Sequence, residues 1–546
     1  MATFHHTTAL RPALLLATVL MLSALLCAPP ARAGTFTVTR TDDPQPNGCT
    51  PADCSLREAI IAANTAAGPD RLSLAAGTYT LALAGAGEDA GATGDLDIGG
   101  DTTIAGASAS ATTIDGNRLD RVLDIHSGNV TISGVTIARG SAGSGGQGGA
   151  IKNAGALTLA SSAVISSTSG VLFSFDGSQG GGIYSTGALQ LSGSIVSGNT
   201  SDSAGGGIYS TGGLTVTNST IADNTVGEDS GGAIANLGRA IVRDSSIAGN
   251  KTYGAGGGLD NRQNAVLELI DSQVTDNTAS EGQAAGGGVL NSGTLTVTGS
   301  IISFNTITST YGGGLYNSGT ARLVASTIAA NAGFDGPGGI YNDGDLTLID
   351  SAVDANTSQY EPSGVDNHGS FSFVTSTLSR NSVWNSGSLS VNSSTFSAAP
   401  VDSSGTLTAI NATFTGSDLG IKSSGSALLR STILAGNTAD CEGTIASQGH
   451  NLIGNATGCA YDGVASDQVG TSAAPLDPRL GALASNGGPT RTHMPQAGSP
   501  AIDRGDPTIC PAADQRGVHR PYGAACDIGA VERAWRVLLP LIRRSA

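Results

Sequence analysis

The chain is poor in aromatic and in charged residues. Phe, Tyr and Trp together make up 4 % of its 546 residues, and charged residues make up 13 %. A single globular core of this length would contain more aromatic side chains, because these supply much of the buried area of such cores. A thin core of Val, Ile, Leu and Ala does not need them. The composition therefore favours an elongated solenoid over a compact globule.

Basic residues are also scarce. Lysine occurs at Lys152, Lys251 and Lys422 alone, and the formal net charge is −17. This excludes nucleic acid as a partner, because contact with phosphates requires clustered Lys and Arg. It also disfavours acidic polysaccharides unless a divalent cation mediates the contact.

Long apolar runs are missing after the N-terminus. Arg11 precedes the apolar run Ala13–Leu26, and Ala31-Arg32-Ala33 offers a small-x-small cleavage site. This pattern is typical of a secretory signal peptide, here residues 1–33. The run is short for a membrane span. We therefore expect a mature chain without a transmembrane segment, secreted, extracellular or attached to the cell surface.

Glycine is abundant, with 80 residues, and much of it belongs to one repeated phrase. Gly-Gly-Gly-Ile-Tyr or a close variant places its apolar residue at Ile151, Ile183, Ile208, Ile234, Leu259, Val289, Leu315, Ile340 and Val365, mostly 25 or 26 residues apart. That period fits one coil of a solenoid. Leu346 and Leu348 alternate with polar residues, which predicts a strand with one buried face. The sequence thus predicts an all-β fold, a right-handed parallel β-helix over residues 71–440.

Stacked coils would align polar residues in columns. One column consists of Asn199, Asn224, Asn250, Asn277, Asn305, Asn331, Asn356 and Asn381. We interpret it as a ladder of amides that bond to turn backbone and to each other, rather than as a row of ligand sites. Coil length varies at one edge after this column, where Tyr253, Tyr311 and Tyr360 lie. Loops on a rigid scaffold are common binding positions.

Six cysteines follow the signal peptide: Cys49, Cys54, Cys441, Cys459, Cys510 and Cys526. Six cysteines allow fifteen pairings. Secretion favours disulfides, and because all six lie near the ends of the predicted rod, sequential neighbours are the economical pairs. Spacing and the isolated His450 disfavour a metal site.

The N-terminal cap is predicted over residues 34–70. Ser55 and Glu58 form a capping box, and Leu56, Ala59 and Ile60 fall on one helical face. The stretch Cys54-Ser55-Leu56-Arg57-Glu58-Ala59 matches the motif that names the CSLREA domain family of secreted bacterial β-helix proteins. This resemblance implies a cap helix on the first coil.

Two further resemblances cover the rest. Gly148–Ile151 and Gly231–Ile234 read Gly-Gly-Ala-Ile, as do repeats of polymorphic outer membrane proteins, which often act as adhesins. Residues 441–533 resemble the choice-of-anchor Q domain through Asn451-Leu452-Ile453-Gly454, Asp514-Gln515-Arg516-Gly517 and Asp527-Ile528-Gly529-Ala530. This implies a disulfide-held C-terminal module of a surface protein. Residues 534–546 are either a sorting or anchoring tag or a last strand on that module.

Aromatic residues also recur beside the repeated apolar position. Tyr184 and Tyr209, and again Tyr316 and Tyr341, should lie on adjacent coils and face outward. Such rings can stack on sugars, and they can equally cover a sheet face. Together with Tyr253, Tyr311 and Tyr360 they are the predicted ligand-binding residues.

Catalytic carboxylates are harder to find. Asp260 and Asp366 occupy the same outward column four coils apart, roughly 19 Å, which is too far for a glycosidase pair. Asp244 and Asp271 fall on neighbouring coils, as a retaining pair or a cation site would, yet Asn218 and Asp350 share their position, which favours a turn. Asp244, Asp271 and Asp260 are thus weak candidates.

Asp95, Asp97 and Asp101 form an acidic group at the start of the rod. Asp95 and Asp97 alternate with Leu96 and Ile98 and should point outward. Oxygen ligands at this density could hold Ca²⁺, or they could form a solvated acidic loop. No cofactor is required, and calcium is the ion that the sequence indicates.

These features favour a surface protein that binds a glycan or a host or neighbour cell-surface component without catalysis. The alternative is a polysaccharide lyase or glycoside hydrolase of the pectin-lyase-like fold. A structural spacer is a second alternative.

Overall fold

The computed structural model describes residues 33–280, 284–308, 311–360 and 363–534. Its regular strands pair in parallel with their equivalents in the next coil. The predicted parallel β-helix is therefore confirmed. Equivalent strands stack into four rows, named here the first to the fourth row in the order in which a coil passes through them.

The first row contains Leu96–Ile98, Leu123–Ile125, Ile151–Asn153, Ile183–Ser185, Ile208–Ser210, Ile234–Asn236, Leu259–Asn261, Val289–Asn291, Leu315–Asn317, Ile340–Asn342, Val365–Asn367, Val383–Asn385, Val401–Ser403, Leu419–Ser423 and Ala439–Ser447. The second row contains Thr35–Thr37, Asp70–Ser73, Thr102–Ala105, Asn129–Ser133, Ala156–Ala160, Ala188–Ser192, Gly213–Thr217, Arg239–Arg243, Val266–Ile270, Thr294–Thr298, Thr320–Val324, Asp345–Ile349, Ser370–Val374, Ser388–Asn392, Thr406–Ile410, Ser426–Arg430 and Cys459–Asp462.

The third row contains Gly77–Thr80, Thr112–Asp115, Thr136–Ala138, Ala163–Ile165, Ile195–Ser197, Thr220–Ala222, Ser246–Ala248, Gln273–Thr275, Ile301–Ser303, Thr327–Ala329, Ala352–Asp354, Thr377–Ser379, Thr395–Ser397, Thr413–Thr415, Ile433–Leu434, Leu452–Ile453 and Gln468–Val469. The fourth row contains Thr168–Ser169, Thr200–Ser201, Thr225–Val226, Lys251–Thr252, Thr278–Ala279, Thr306–Ile307, Ala332–Gly333 and Thr357–Ser358.

Alternation of side chains builds the core. In the second-row strand Asp345–Ile349, Leu346 and Leu348 are 2 % and 0 % exposed, and the residues between and beside them face outward. The same pattern repeats in the stacked strands, so one continuous apolar core runs through the rod. It is mainly aliphatic, with a run of contacting aromatic rings at Phe371, Phe373, Phe396 and Phe414.

The Asn column forms the predicted ladder. Each amide nitrogen from Asn199 to Asn356 donates to the side-chain oxygen of the Asn in the next coil, at 2.9 to 3.1 Å. The same oxygen accepts the backbone N–H of the preceding Asn. These buried amides thereby satisfy each other and the corner backbone.

Coil length changes in the C-terminal third of the rod, after Val365. The first-row register advances 25 residues from Ile340 to Val365, and 18 residues from Val365 to Val383. The shorter coils have no fourth-row strand after Ser358 within the part of the chain that the structure describes. The edge loops that follow the fourth row therefore accompany the long coils and stop where the short coils begin.

The N-terminal cap agrees with the prediction. Helix α1, Leu56–Thr65, begins at Ser55, whose side chain accepts the Glu58 N–H while the Glu58 carboxylate accepts the Ser55 N–H. Leu56, Ala59 and Ile60 are buried against the first coils. Arg57, 1 % exposed, pairs with Asp43 at 2.8 Å. No helix within the described ranges combines the length and apolarity needed to span a bilayer.

The C-terminal module is shorter than predicted. Parallel pairing continues past residue 440 as far as Val469, and it already includes Thr35–Thr37 at the other end, so the boundaries 71–440 fall inside the solenoid. Residues 470–534 then run back along the third row. Gln515 donates to the Ser376 carbonyl at 3.0 Å, and Arg491 pairs with Asp354 at 2.8 Å.

The three disulfides join sequential neighbours, as predicted: Cys49–Cys54, Cys441–Cys459 and Cys510–Cys526. The first lies at the N-terminal cap, the second joins the last coils, and the third lies within the returning segment. The signal-peptide prediction for residues 1–33, apart from Ala33, and the tag prediction for residues 534–546, apart from Ala534, lie outside the described residues.

Candidate functional site

One outward-facing column follows the first row along the rod. Each member is the central residue of a first-row strand or its register partner, and neighbours are one strand spacing apart, about 4.8 Å. The column reads Asp97, Asp124, Lys152, Tyr184, Tyr209, Ala235, Asp260, Leu290, Tyr316, Tyr341, Asp366, Trp384, Asp402, Lys422 and Glu442. It gathers aromatic and charged side chains in a chain that has few of either.

Three tyrosines form a platform on this column. The rings of Tyr316 and Tyr341 stack with centroids 5.5 Å apart and planes 18° apart. Tyr311, from the loop before the glycine corner, meets them edge-on at 5.9 and 4.8 Å. All three rings are half-buried. We call Tyr311, Tyr316 and Tyr341 the tyrosine platform.

The platform is acidic at its margins. The Tyr316 hydroxyl donates to Asp343 at 2.9 Å, and burial together with this carboxylate raises the pKa of Tyr316 to about 12. Asp366 follows Tyr341 in the column and pairs with His368 at 3.2 Å. Burial raises the pKa of Tyr341 as well, and the charges of Asp343 and Asp366 add to the effect.

The column stays open beyond the platform. His368 lies against the Tyr341 ring at 5.1 Å, and Trp384, on the first of the short coils, is 43 % exposed. The repeated phrase is absent around Trp384, and sequence reasoning did not find it. The register pairing of Asp366 with Trp384 is the signal that identifies it.

The second predicted tyrosine pair has a different environment. Tyr184 and Tyr209 stack as expected, with centroids 5.3 Å apart and planes 5° apart. Tyr209 is 6 % exposed, however, because it packs with Ala204, Ala235 and Leu237. It covers the sheet, and only the Tyr184 end of this stack is accessible.

Tyr253 and Tyr360 lie on the variable edge. Tyr253 contacts the Phe173 ring edge-on at 4.9 Å, and the Lys251 ammonium lies 4.2 Å from its centroid. Tyr360, 56 % exposed, meets Phe334 at 5.9 Å. The edge thus carries exposed aromatic pairs that are separate from the tyrosine platform.

Asp260 is buried, in contrast to its expected outward exposure. It is 2 % exposed and accepts hydrogen bonds from the Arg262 Nε at 2.8 Å and from the Ser230 hydroxyl. Arg262 also pairs with Asp229. Burial raises the pKa of Asp260. These side chains line an open groove of about 710 Å³, and Asp366 lies four coils away, as expected.

Asp244 and Asp271 are neighbours on adjacent coils and are exposed. Both have left-handed backbone angles, with φ of 49° and 48°, as do Asn218 and Asp350 at equivalent positions. Asn and Asp tolerate this conformation better than most residues. The left-handed turn therefore explains why Asn and Asp occur at this position of successive coils.

The acidic group at the start of the rod is rearranged relative to the prediction. Asp95 and Asp97 are 2 % and 1 % exposed, because residues 82–94 and α1 cover this end of the column. Asp124, one coil further, completes a cluster with them whose carboxylate oxygens lie within 4.8 Å of one another. Asp101 lies apart and accepts the Asn129 N–H at 2.7 Å.

Protein cations already contact this cluster. Arg121 bonds Asp95 at 2.7 Å and Asp124 at 3.1 Å, and Lys152 bonds Asp124 at 2.9 Å. His126 bonds Asp97, and burial raises the pKa of Asp95 to about 6. A calcium ion would have to displace these partners. Asp124 could have been found from the sequence by aligning it with Asp97 in the column.

Comparison with known proteins agrees with the fold. Residues 173–332 match the family model described as right handed beta helix region. The fold is a right-handed parallel β-helix. The curated proteins contain no match. Two solved chains match, and one is the crystal structure of pectate lyase Pel9A, with 14 % identity over 92 % of this chain and 98 % of that chain and a TM-score of 0.23. At that TM-score we assign no activity from the likeness.

Proposed function

We propose that this protein is a secreted or cell-surface β-helix that binds glycans or another cell-surface component without cleaving them. The observation that carries the proposal is the tyrosine platform on an open, repetitive column. Because Tyr316 and Tyr341 stack on each other and His368 lies against Tyr341, the platform presents ring edges and hydroxyl groups outward. Apolar edges beside hydroxyl groups suit sugars, which carry C–H and O–H groups together.

The geometry of the column supports binding along an extended chain. Four successive coils carry Tyr316, Tyr341, Asp366 and Trp384, in that order, at the same position of the column. Neighbouring coils lie about 4.8 Å apart along the rod. A linear glycan could thus contact successive rings without bending.

The carboxylates nearest the platform support binding more than hydrolysis. Asp343 is engaged by the Tyr316 hydroxyl and Asp366 by His368. Two carboxylates held 5 to 9.5 Å apart across a bond are what a glycosidase needs, and each of these two has a separate partner.

The location at the cell surface is part of the proposal. The resemblances to CSLREA and choice-of-anchor Q proteins support it, as do the three disulfides, which are typical of oxidising compartments. A calcium ion at Asp95, Asp97 and Asp124 would replace the contacts that Arg121 and Lys152 make with this cluster.

One observation favours a polysaccharide lyase or hydrolase as the second candidate. Asp260 combines a raised pKa with an arginine neighbour in an open groove on the same column. A carboxyl that stays protonated at higher pH can serve as a general acid.

The test is a glycan array probed with the chain from Gly34 onward, with and without calcium, followed by chromatography of the incubated glycans. We expect retention without shortened products. Shortened products would refute the proposal and favour the enzyme, with Asp260→Asn as the first variant. If the array shows no retention and no shortened products are found, a structural spacer is favoured.

A further inference from the structure

The charges around the tyrosine platform bear on which glycans it accepts. Asp343 is exposed and lies within hydrogen-bond distance of Tyr316, and Asp366 follows Tyr341 directly in the column. A single imidazole, His368, is paired with Asp366 at 3.2 Å. A sugar bound at the outward edges of Tyr316 and Tyr341 would therefore have the carboxylates of Asp343 and Asp366 beside it.

Resting on the proposed function, we infer that the tyrosine platform selects neutral or amine-bearing glycans and discriminates against carboxylate-bearing ones. An ammonium group on the sugar would donate hydrogen bonds to the carboxylates of Asp343 and Asp366. A uronate carboxylate would instead face two like charges.

Magnitude supports a measurable preference. The interaction energy of two unit charges about 4 Å apart in water is large enough to change an affinity roughly fivefold to tenfold, and the effect is larger where the site excludes water. The platform is half-buried, so its electrostatic contrast is partly retained at physiological ionic strength. The overall charge of −17 acts in the same direction at longer range.

The chain supplies variants that separate charge from folding. Ser318 occupies the position of Asp343 in the preceding coil. The backbone N–H of each residue donates to the carbonyl of the first-row Asn one coil earlier, Asn291 for Ser318 and Asn317 for Asp343. Asp343→Ser therefore copies a neighbouring coil. Tyr341→Ala likewise copies Ala235 of the same column. Phe304→Ala is the matched aromatic control, because Phe304 lies on another face and Ala330 occupies the next equivalent turn.

The experiment is a set of equilibrium titrations of the chain from Gly34 onward with three probes: the glucosamine hexamer, cellohexaose and the galacturonate hexamer. We expect the amine to bind tightest and the uronate weakest. Asp343→Ser and Asp366→Asn should each reduce the ratio of amine affinity to uronate affinity about fivefold. Tyr341→Ala should weaken all three probes about tenfold or more, and Phe304→Ala none.

The outcomes separate the two proposals. If the uronate binds as tightly as the amine, or if Asp343→Ser and Asp366→Asn leave the order of affinities unchanged, the charge inference is wrong while glycan binding stands. If no probe binds, or if Tyr341→Ala matches Phe304→Ala, glycan binding at the platform is wrong, and the inference falls with it.

Discussion

Removing one amide from the middle of the Asn ladder should open the rod locally. Asn277 is 0 % exposed. Its amide nitrogen donates to the Ile247 carbonyl at 3.0 Å and to the Asn305 side chain at 2.9 Å. Its oxygen accepts both the backbone N–H and the amide N–H of Asn250, at 3.0 and 2.9 Å.

Asn277→Ala deletes these four bonds and leaves the buried backbone N–H of Asn250 without its partner. The Asn250 amide keeps its bonds to the Ile221 and Ala248 carbonyls, and the Ile247 carbonyl remains in the strand ladder. The Asn305 oxygen keeps the backbone N–H of residue 277. The unsatisfied N–H costs about 1–3 kcal/mol, and each of the other three lost bonds costs about 0.5–1.5 kcal/mol. We therefore expect a loss of about 4 kcal/mol in the free energy of local opening, equivalent to roughly a thousandfold.

Hydrogen exchange read by mass spectrometry measures this loss peptide by peptide. Peptides covering residues 245–280 and the next coil should exchange faster by that factor. Peptides near residues 395–410 should not, because solenoid coils contact only their neighbours. Gln273→Ala, an exposed residue of the same coil, is the control and should change stability by less than about 0.5 kcal/mol. Equal exchange in the two variants would refute the stabilising role of the ladder.

Three further predictions follow from the contacts described above. Gln515→Ala should release residues 470–534 to protease before the rod unfolds, at a cost of about 3 kcal/mol, because Gln515 holds buried contacts to the third row; unchanged cleavage would contradict this. Burial raises the pKa of Asp95 to about 6, so between that pH and the ordinary pKa of aspartate the folded state holds a proton that the unfolded state lacks. This carboxyl should therefore add stability as the pH falls through that window. The urea midpoint of Asp95→Asn should lack this increase at low pH. Ala325→Gly should stabilise the rod by up to about 1 kcal/mol and Asp271→Ala should destabilise it, since both positions have left-handed φ; thermal melts in which neither midpoint moves would count against the turn explanation.

Much of the solenoid could be predicted from sequence because its determinants are local and periodic. The alternation at Leu346 and Leu348 specifies which side faces the core, and equal spacing of Asn residues specifies their stacking. The tyrosine pairs followed from the same register. The α1 cap was readable because Ser55 and Glu58 lie at the spacing of a capping box.

The remaining features depend on segments without a period. Asp97 was expected to face solvent, but residues 82–94 fold over it, and nothing in their sequence repeats. The burial of Tyr209 depends on the small residues Ala204 and Ala235 beside it. The return of residues 470–534 along the third row rests on single side chains, such as Gln515, that have no counterparts in other coils.

The central claim is that stacked tyrosines on the outward column bind glycan without cleavage. The most direct measurement is isothermal titration of cellohexaose into the wild-type chain, the Tyr316→Ala/Tyr341→Ala double variant and Phe304→Ala, with chromatography of each mixture afterwards. The account predicts binding by the wild type and by Phe304→Ala, at least about a tenfold weakening in the double variant, and intact cellohexaose throughout. Equal affinity of the double variant and the wild type, or any shortened product, would contradict it.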